Sequence, residues 1–174
     1  MFLCFIDLSK AFDRINHEKL FTKLLERSVP KNIVRLLIYW YAQQTFQVKW
    51  DNAVSIPFHV GNGVRQGGIL SPFLFNVYMD DLSRQLNACK TGCVVGDNVI
   101  NHLMYADDLV ILSPYTAGLQ QLLRICSQYG PEHDIIYNAK KSCIMVVRCR
   151  EDRKRIFPEF YLSDVALSVS RELK

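Results

Sequence analysis

The sequence predicts an α+β fold, an antiparallel sheet with helices packed on one face. Three observations predict it. At 174 residues, with 49% hydrophobic and 11% aromatic content, the chain has the length of one domain and enough apolar surface for a core, and its composition excludes a disordered tail. Its apolar residues change period along the chain, from continuous runs to helical spacing and back. The resulting order is strand, two helices, hairpin, helix, hairpin, helix, strand, in which hairpins supply antiparallel neighbours and helices cover a face.

Each element follows from local pattern. Phe2–Ile6 is a continuous apolar run, which reads as a buried strand. Leu20, Phe21, Leu24 and Leu25 recur at helical spacing, and Pro30 opens a second helix that runs to about Gln43. Residues 45–50 and 54–60 read as strands joined by the turn pair Asp51 and Asn52. Gly61, Gly63, Gly67 and Gly68 punctuate a loop, after which Ser71 as N-cap and Pro72 at the first helical position start a long helix to about Asn87. Residues 101–104 and 109–112 read as strands around a four-residue turn. Leu119, Leu122, Leu123 and Cys126 mark a further amphipathic helix, and residues 142–149 a last strand. With no repeat, low-complexity tract or Gly/Ser linker, residues 1–174 read as a single domain.

Charge narrows the function classes. The net charge is only +4, from 21 basic and 17 acidic residues, so the chain is not a polybasic protein and any nucleic-acid contact must come from local patterning. One such pattern is Lys140, Lys141, Arg148, Arg150, Arg153, Lys154 and Arg155, against only Glu151 and Asp152, a segment suited to phosphate or to plain solvation. Six cysteines without a C-x-x-C spacing read as core thiols of a reduced, intracellular protein, in nucleus or cytoplasm. The N-terminus lacks a basic n-region, and the apolar stretch 33–42 is broken by Arg35 and too short to span a bilayer, so no membrane partner is expected.

The chemistry lies where acidic residues interrupt apolar strands. Asp7 directly follows the first strand, so its carboxylate emerges at that strand's end, while Asp107 and Asp108 sit side by side at a hairpin tip. Adjacent carboxylates repel, and a third beside them is costly unless a cation neutralises the group. Oxygen donors without His or Cys favour Mg²⁺, whereas Asp107 and Asp108 taken alone also suit an ordinary polar turn.

Four segments together resemble the reverse transcriptases of non-LTR, LINE-type retrotransposons. Phe5-Ile6-Asp7-Leu8-Ser9-Lys10-Ala11-Phe12-Asp13 is similar to that family's first palm motif, and Gly63-Val64-Arg65-Gln66-Gly67-Gly68-Ile69-Leu70-Ser71-Pro72 to its nucleotide- and template-positioning motif. Tyr105-Ala106-Asp107-Asp108 is similar to its metal-binding hairpin, and Asn138-Ala139-Lys140-Lys141-Ser142 to the lysine motif that follows. The order matches and the similarity covers nearly the whole chain. It implies the palm of a right-hand polymerase on a ferredoxin-like split βαβ core, an RNA-directed DNA polymerase acting on an RNA or DNA template with primer and dNTP.

The resemblance also implies roles. Two Mg²⁺ ions, with Mn²⁺ as a substitute, would be held by Asp7 and Asp107 as bridging pair and by Asp108 as the second hairpin ligand, with the three carboxylates converging. Asp13, farther along a polar stretch, reads as structural. Phe12 would lie beneath the incoming sugar and exclude a 2′-hydroxyl, although an isolated Phe is more often core. Gln66 and Gly67 would let backbone approach phosphate or base, Arg65 would face template, triphosphate or solvent, and Lys141 would protonate or neutralise the pyrophosphate leaving group. The chain is expected to lack the upstream fingers segments and the downstream thumb, and to encode neither an endonuclease nor a ribonuclease H region. A catalytically silent remnant serving as an interaction module is the alternative from another class; an RNA-dependent RNA polymerase is disfavoured by Phe12.

Overall fold

A computed structural model describes residues 1–147 and 157–170. Their contacts gather into two compact units, Met1–Ala11 with the chain from Met79 onward, and Phe12–Tyr78.

The first unit is built on a five-stranded sheet. Its strands are β1 (Phe2–Ile6), β8 (His102–Tyr105), β9 (Asp108–Ser113), β10 (Cys143–Val146) and β13 (Ser168–Ser170), in the order β13-β10-β1-β9-β8. The apolar run of β1 takes the centre because a strand paired on both sides must be tolerant of burial on both faces: Phe2, Cys4 and Ile6 are buried, Leu3 and Phe5 half-buried. It pairs antiparallel with β9 (Phe2↔Ser113 to Ile6↔Leu109) and with β10 (Phe2↔Val146 to Phe5↔Cys143), and β8 pairs antiparallel with β9. This is the split βαβ arrangement. It departs from the expected all-antiparallel sheet only at its edge, where β13 runs parallel to β10.

Helix α4 (Thr116–Glu132) covers β9 and β1, burying Leu119, Leu122, Leu123, Cys126 and Tyr129. Each such apolar side chain contributes roughly 2 kcal/mol on burial. Burial pushes the Cys126 thiol up to about 12 and raises that of Cys4 further, the behaviour of thiols used as core hydrophobes. A short hairpin, β11 (Tyr161–Leu162) with β12 (Val165–Ala166), docks on α4, where the Gln120 amide donates to the Tyr161 carbonyl at 3.0 Å and accepts from its N–H at 2.9 Å.

The second unit holds α1 (His17–Glu26) against α2 (Lys31–Ala42). Asn16 caps α1, its side chain accepting from Lys19 N–H at 3.1 Å, and Pro30 precedes α2 as the sequence predicts. The expected pair of long strands is interrupted. Thr45–Phe46 (β2) pairs with Phe58–His59 (β5), and Lys49–Trp50 (β3) with Ala53–Val54 (β4) around Asp51 and Asn52. Pro57, with no N–H to give a ladder, lies in the break. Helix α3 (Ser71–Ala88) runs from this unit into the first.

Two other expectations are corrected, and one element was not expected. The turn between β8 and β9 has two residues, not four: Tyr105 pairs with Asp108, because Ala106 adopts φ 51°, the left-handed conformation that such tight turns demand. Ser71 is the first residue of α3, and its hydroxyl donates back to the Arg65 carbonyl. The hairpin β6 (Cys93–Val95) and β7 (Asn98–Ile100), turning at Gly96 and Asp97, gives only a weak signal in sequence because both of its strands are short and largely exposed. Of the expected final strand, residues 143–146 are observed, and Arg148, Cys149, Arg150, Arg153, Lys154 and Arg155 lie outside the described residues. No helix among the described residues is long and apolar enough to cross a membrane.

Candidate active site

Asp7 leaves the end of β1 with its main chain strapped to a segment 135 residues away in sequence. Its N–H donates to Ser142 Oγ at 3.1 Å, while Asn138 N–H donates to the Asp7 carbonyl at 2.8 Å. The Ser142 hydroxyl in turn donates to the Asn138 carbonyl at 2.8 Å, which also receives the N–H groups of Lys141 and Ser142 at 3.1 and 2.9 Å. The strap continues through a bridge between Leu8 and Tyr137 and a 2.8 Å bond from Ser9 N–H to the Ile136 carbonyl. Thus the first and last of the four motifs are tied together by main-chain bonds and the Ser142 hydroxyl, and Lys141, one residue before Ser142, is exposed.

Ser142 is fully buried, so its hydroxyl serves both strands of this strap. Ser142→Ala strips the part-buried Asp7 N–H of its partner and takes one of three donors from the Asn138 carbonyl, and is expected to cost about 1 kcal/mol, read as a lower urea midpoint. Lys141→Ala, at an exposed position, is expected to stay within about 0.5 kcal/mol of the parent in the same titration.

On the other flank of β1, the register places the hairpin. Ile6↔Leu109 is the last pair of the β1–β9 ladder, so Asp7 leaves β1 at the end of the sheet where β9 begins with Asp108 and the β8–β9 turn holds Asp107. Asp7 is half-buried, and Asp107 and Asp108 are exposed. Their oxygen-only donor set at the mouth of neighbouring strands fits a hard divalent cation. Among the described residues, no three His, Cys, Asp or Glu side chains are gathered into a group that could hold a metal ion, so the expected convergence of the Asp7, Asp107 and Asp108 carboxylates is not seen.

The other motif residues lie in the second unit. The Phe12 ring stacks on Phe75 at 4.8 Å between centroids and 16° between planes, half-buried, and Val64 N–H donates to the Phe12 carbonyl at 2.8 Å. The glycine-rich loop is pinned to the same stretch. Gly63 N–H donates to the Ile15 carbonyl at 2.7 Å, and the Gly63 carbonyl meets the His17 ring at 2.6 Å. Gly63 has φ +90°, and a Cβ there would lie 2.8 Å from the Asp13 carbonyl oxygen, so only glycine permits this approach. Beyond it, Gly68 N–H and the Ser71 hydroxyl both donate to the Arg65 carbonyl, closing a tight turn with Gly67 at φ +80°.

Arg65 and Gln66 are exposed at the junction of two concavities. One, of about 470 Å³, is lined by Asp13, His17, Phe46, Phe58 and Asn62; the other, of about 600 Å³, by Trp40, Tyr41, Gly67, Gly68 and Ile69, and both include Gln44, Arg65 and Gln66. Asp13 thus borders a cavity although the sequence reading made it purely structural. Two contributors were missed in sequence: Ser142 as a buried strap, and His17 as the side chain under Gly63. Both act through main-chain groups, which leave no residue-type signature.

Comparison with known proteins bears on the family and the fold. The family description for reverse transcriptase (RNA-dependent DNA polymerase) matches residues 1–165. The chain is 37% identical over 118 residues to a Pol polyprotein from the type-2 retrotransposable element R2DM of Drosophila melanogaster, which covers 68% of this chain and 11% of that protein. It is 30% identical over 144 residues to the RNA-directed DNA polymerase from the mobile element jockey of Drosophila funebris, covering 79% of this chain and 15% of that protein. Among solved structures, an apo telomerase from Candida tropicalis superposes with a TM-score of 0.65 at 16% identity, covering 95% of this chain and 35% of that one. That likeness bears on the fold, a polymerase palm.

Proposed function

We propose, for a chain that belongs to the reverse transcriptase (RNA-dependent DNA polymerase) family, that it is the palm of an RNA-directed DNA polymerase, transferring a nucleotide from dNTP to a primer 3′-hydroxyl on an RNA or DNA template. The observation that carries the proposal is the meeting of three motifs at one end of one sheet. The Asn138–Ser142 strap bonds the Asp7 main chain, and the ladders of β1 with β9 and of β9 with β8 put the β8–β9 hairpin at the same end of β1.

Asp7, Asp107 and Asp108 would hold two Mg²⁺ ions, whose charge supports the attacking hydroxyl and the leaving group. Residues of the chain do the rest. Asp7 is held by its main chain, so its carboxylate has a fixed base from which to act, and Lys141 would neutralise or protonate departing pyrophosphate. Gly67 and Gly68 let the loop backbone approach a nucleotide, and Arg65 and Gln66 flank that approach. Phe12, backed by Phe75, forms a flat wall against a 2′-hydroxyl.

The chain spans only 11% and 15% of the two relatives described above. Much of the rate in phosphoryl transfer comes from holding the reactants in line, so purified 1–174 is expected to extend a primer at under about 1% of the rate of a longer polymerase carrying it. The assay compares the two with and without chelation of divalent metal. Metal-dependent synthesis by the longer protein supports the reading, and chelator-resistant synthesis or none at all would remove it.

A further inference from the structure

Ser83 on α3 and Asn101 and His102 at the root of β8 form a directed hydrogen-bond chain. The Asn101 amide N–H donates to the Leu86 carbonyl at 2.6 Å, which turns Asn101 Oδ1 toward His102 Nδ1, 2.7 Å away. A carbonyl oxygen can only accept, so Nδ1 carries the proton, Nε2 is left as an acceptor, and the Ser83 hydroxyl donates to it at 2.8 Å. Every proton in the chain is therefore assigned by the one backbone carbonyl at its end. Burial lowers the His102 pKa from its ordinary value, in keeping with a neutral ring. Asn101 is 1% exposed, and its own carbonyl accepts from Leu112 N–H at 2.8 Å, so the chain is also tied into β9.

The order hydroxyl, imidazole, amide is that of a hydrolase nucleophile with its base and orienting group. Its surroundings argue otherwise. Ser83 sits inside α3, where neighbouring N–H groups serve the helical ladder and are not free to stabilise an oxyanion.

The mechanical setting of β8 supplies a better role. It is the last strand of the sheet, paired to β9 alone, and its outward residues Leu103 and Tyr105 are 57% and 83% exposed, so they anchor little. It ends in a turn whose Ala106 holds a left-handed φ of 51° despite its Cβ, a conformation that persists only where the flanking strands are both held. β9 is also paired with β1; β8 has, besides its ladder to β9, the bonds of this chain at its root.

We propose that Ser83, His102 and Asn101 are positioning residues for the Asp107–Asp108 hairpin, fixing the root of β8 to α3 so that the tip keeps its tight turn; as a statement about catalysis this rests on the polymerase reading above. The effect acts through backbone, and none of the three touches the reacting atoms.

The test has two arms. In the 174-residue chain, His102→Ala is expected to raise amide hydrogen exchange between Leu103 and Leu109 at least about tenfold relative to α4, Ser83→Ala to raise it less, and Ser83→Thr, which keeps the hydroxyl, to restore the parent pattern. Exchange that is unchanged, or that rises equally in α4, overturns the proposal. In a longer polymerase carrying the chain, His102→Ala is expected to lower the rate per active enzyme, counted from burst amplitude, at least about fivefold with KM for dNTP within about twofold of the parent. Asp107→Asn is run beside it. If Asp107→Asn destroys synthesis and His102→Ala leaves the rate intact, positioning is refuted and the polymerase reading stands; if Asp107→Asn is harmless, the polymerase reading falls first. Covalent labelling of Ser83 by a fluorophosphonate would replace the positioning role with a nucleophilic one.

Discussion

Asp107→Asn, or Asp7→Asn, in a polymerase that carries this chain is expected to reduce primer extension by at least about a thousandfold, the scale of losing a charge-stabilising group at a transferring phosphoryl. An amide keeps the shape of the side chain and removes its charge, so the folded state should be nearly untouched. Asp107 lies exposed in a two-residue turn, and Asp7 is held by its N–H and carbonyl, not by its carboxylate. Thermal unfolding of either variant should stay within about 0.5 kcal/mol of the parent. The discriminating comparison is with Asp13→Asn, which borders a cavity of the second unit and belongs to neither the strap nor the hairpin. Equal losses at positions 13 and 107 would mean that the metal assignment had been given to the wrong carboxylates. Asp108→Asn should be the milder of the hairpin changes, as the second ligand beside a bridging Asp107.

The second large effect concerns the sugar. Phe12→Val is expected to raise the use of ribonucleotides relative to deoxyribonucleotides by roughly tenfold or more, because a shorter side chain removes the clash with a 2′-hydroxyl while leaving base and triphosphate contacts alone. The same change also breaks the stack on Phe75, which should lower stability by about 1–2 kcal/mol. The two consequences separate the two readings of Phe12. Phe75→Leu removes the stacking partner and keeps the Phe12 ring, so it should reproduce the stability loss with a much smaller change in sugar choice. A Phe12→Val protein that is less stable but discriminates as well as the parent would leave Phe12 as a core side chain and nothing more.

Much of the site was legible because it is encoded locally. An apolar run that ends in Asp7, a pair of aspartates between two strands, and a glycine-rich loop before a Ser-Pro helix start each follow from rules that span a few residues. Periodicity likewise predicted α1 and α4, which bury residues at spacings of three and four, while Pro30 and the Ser71-Pro72 pair marked the starts of α2 and α3. The turn between β8 and β9 was misjudged for a related reason. A left-handed alanine has no signature in the sequence, because the strain at Ala106 is tolerated only through what holds the two strands.

By itself, then, the sequence determined the fold class, the family likeness, the order of the elements and the residue types that chemistry requires, because those depend on composition, period and spacing along the chain. The tertiary structure alone decided which of those residues meet. Asp7 is joined to Ser142 across 135 positions, Phe12 is backed by Phe75, Gly63 lies against Asp13 and His17, and Ser83 is linked to His102. Several of these meetings involve a main-chain group or a pair of rings on at least one side. Such interactions are nearly blind to residue type and become favourable only once the sheet register and helix docking have brought distant segments within about 3 Å for a hydrogen bond or 5 Å for a ring pair.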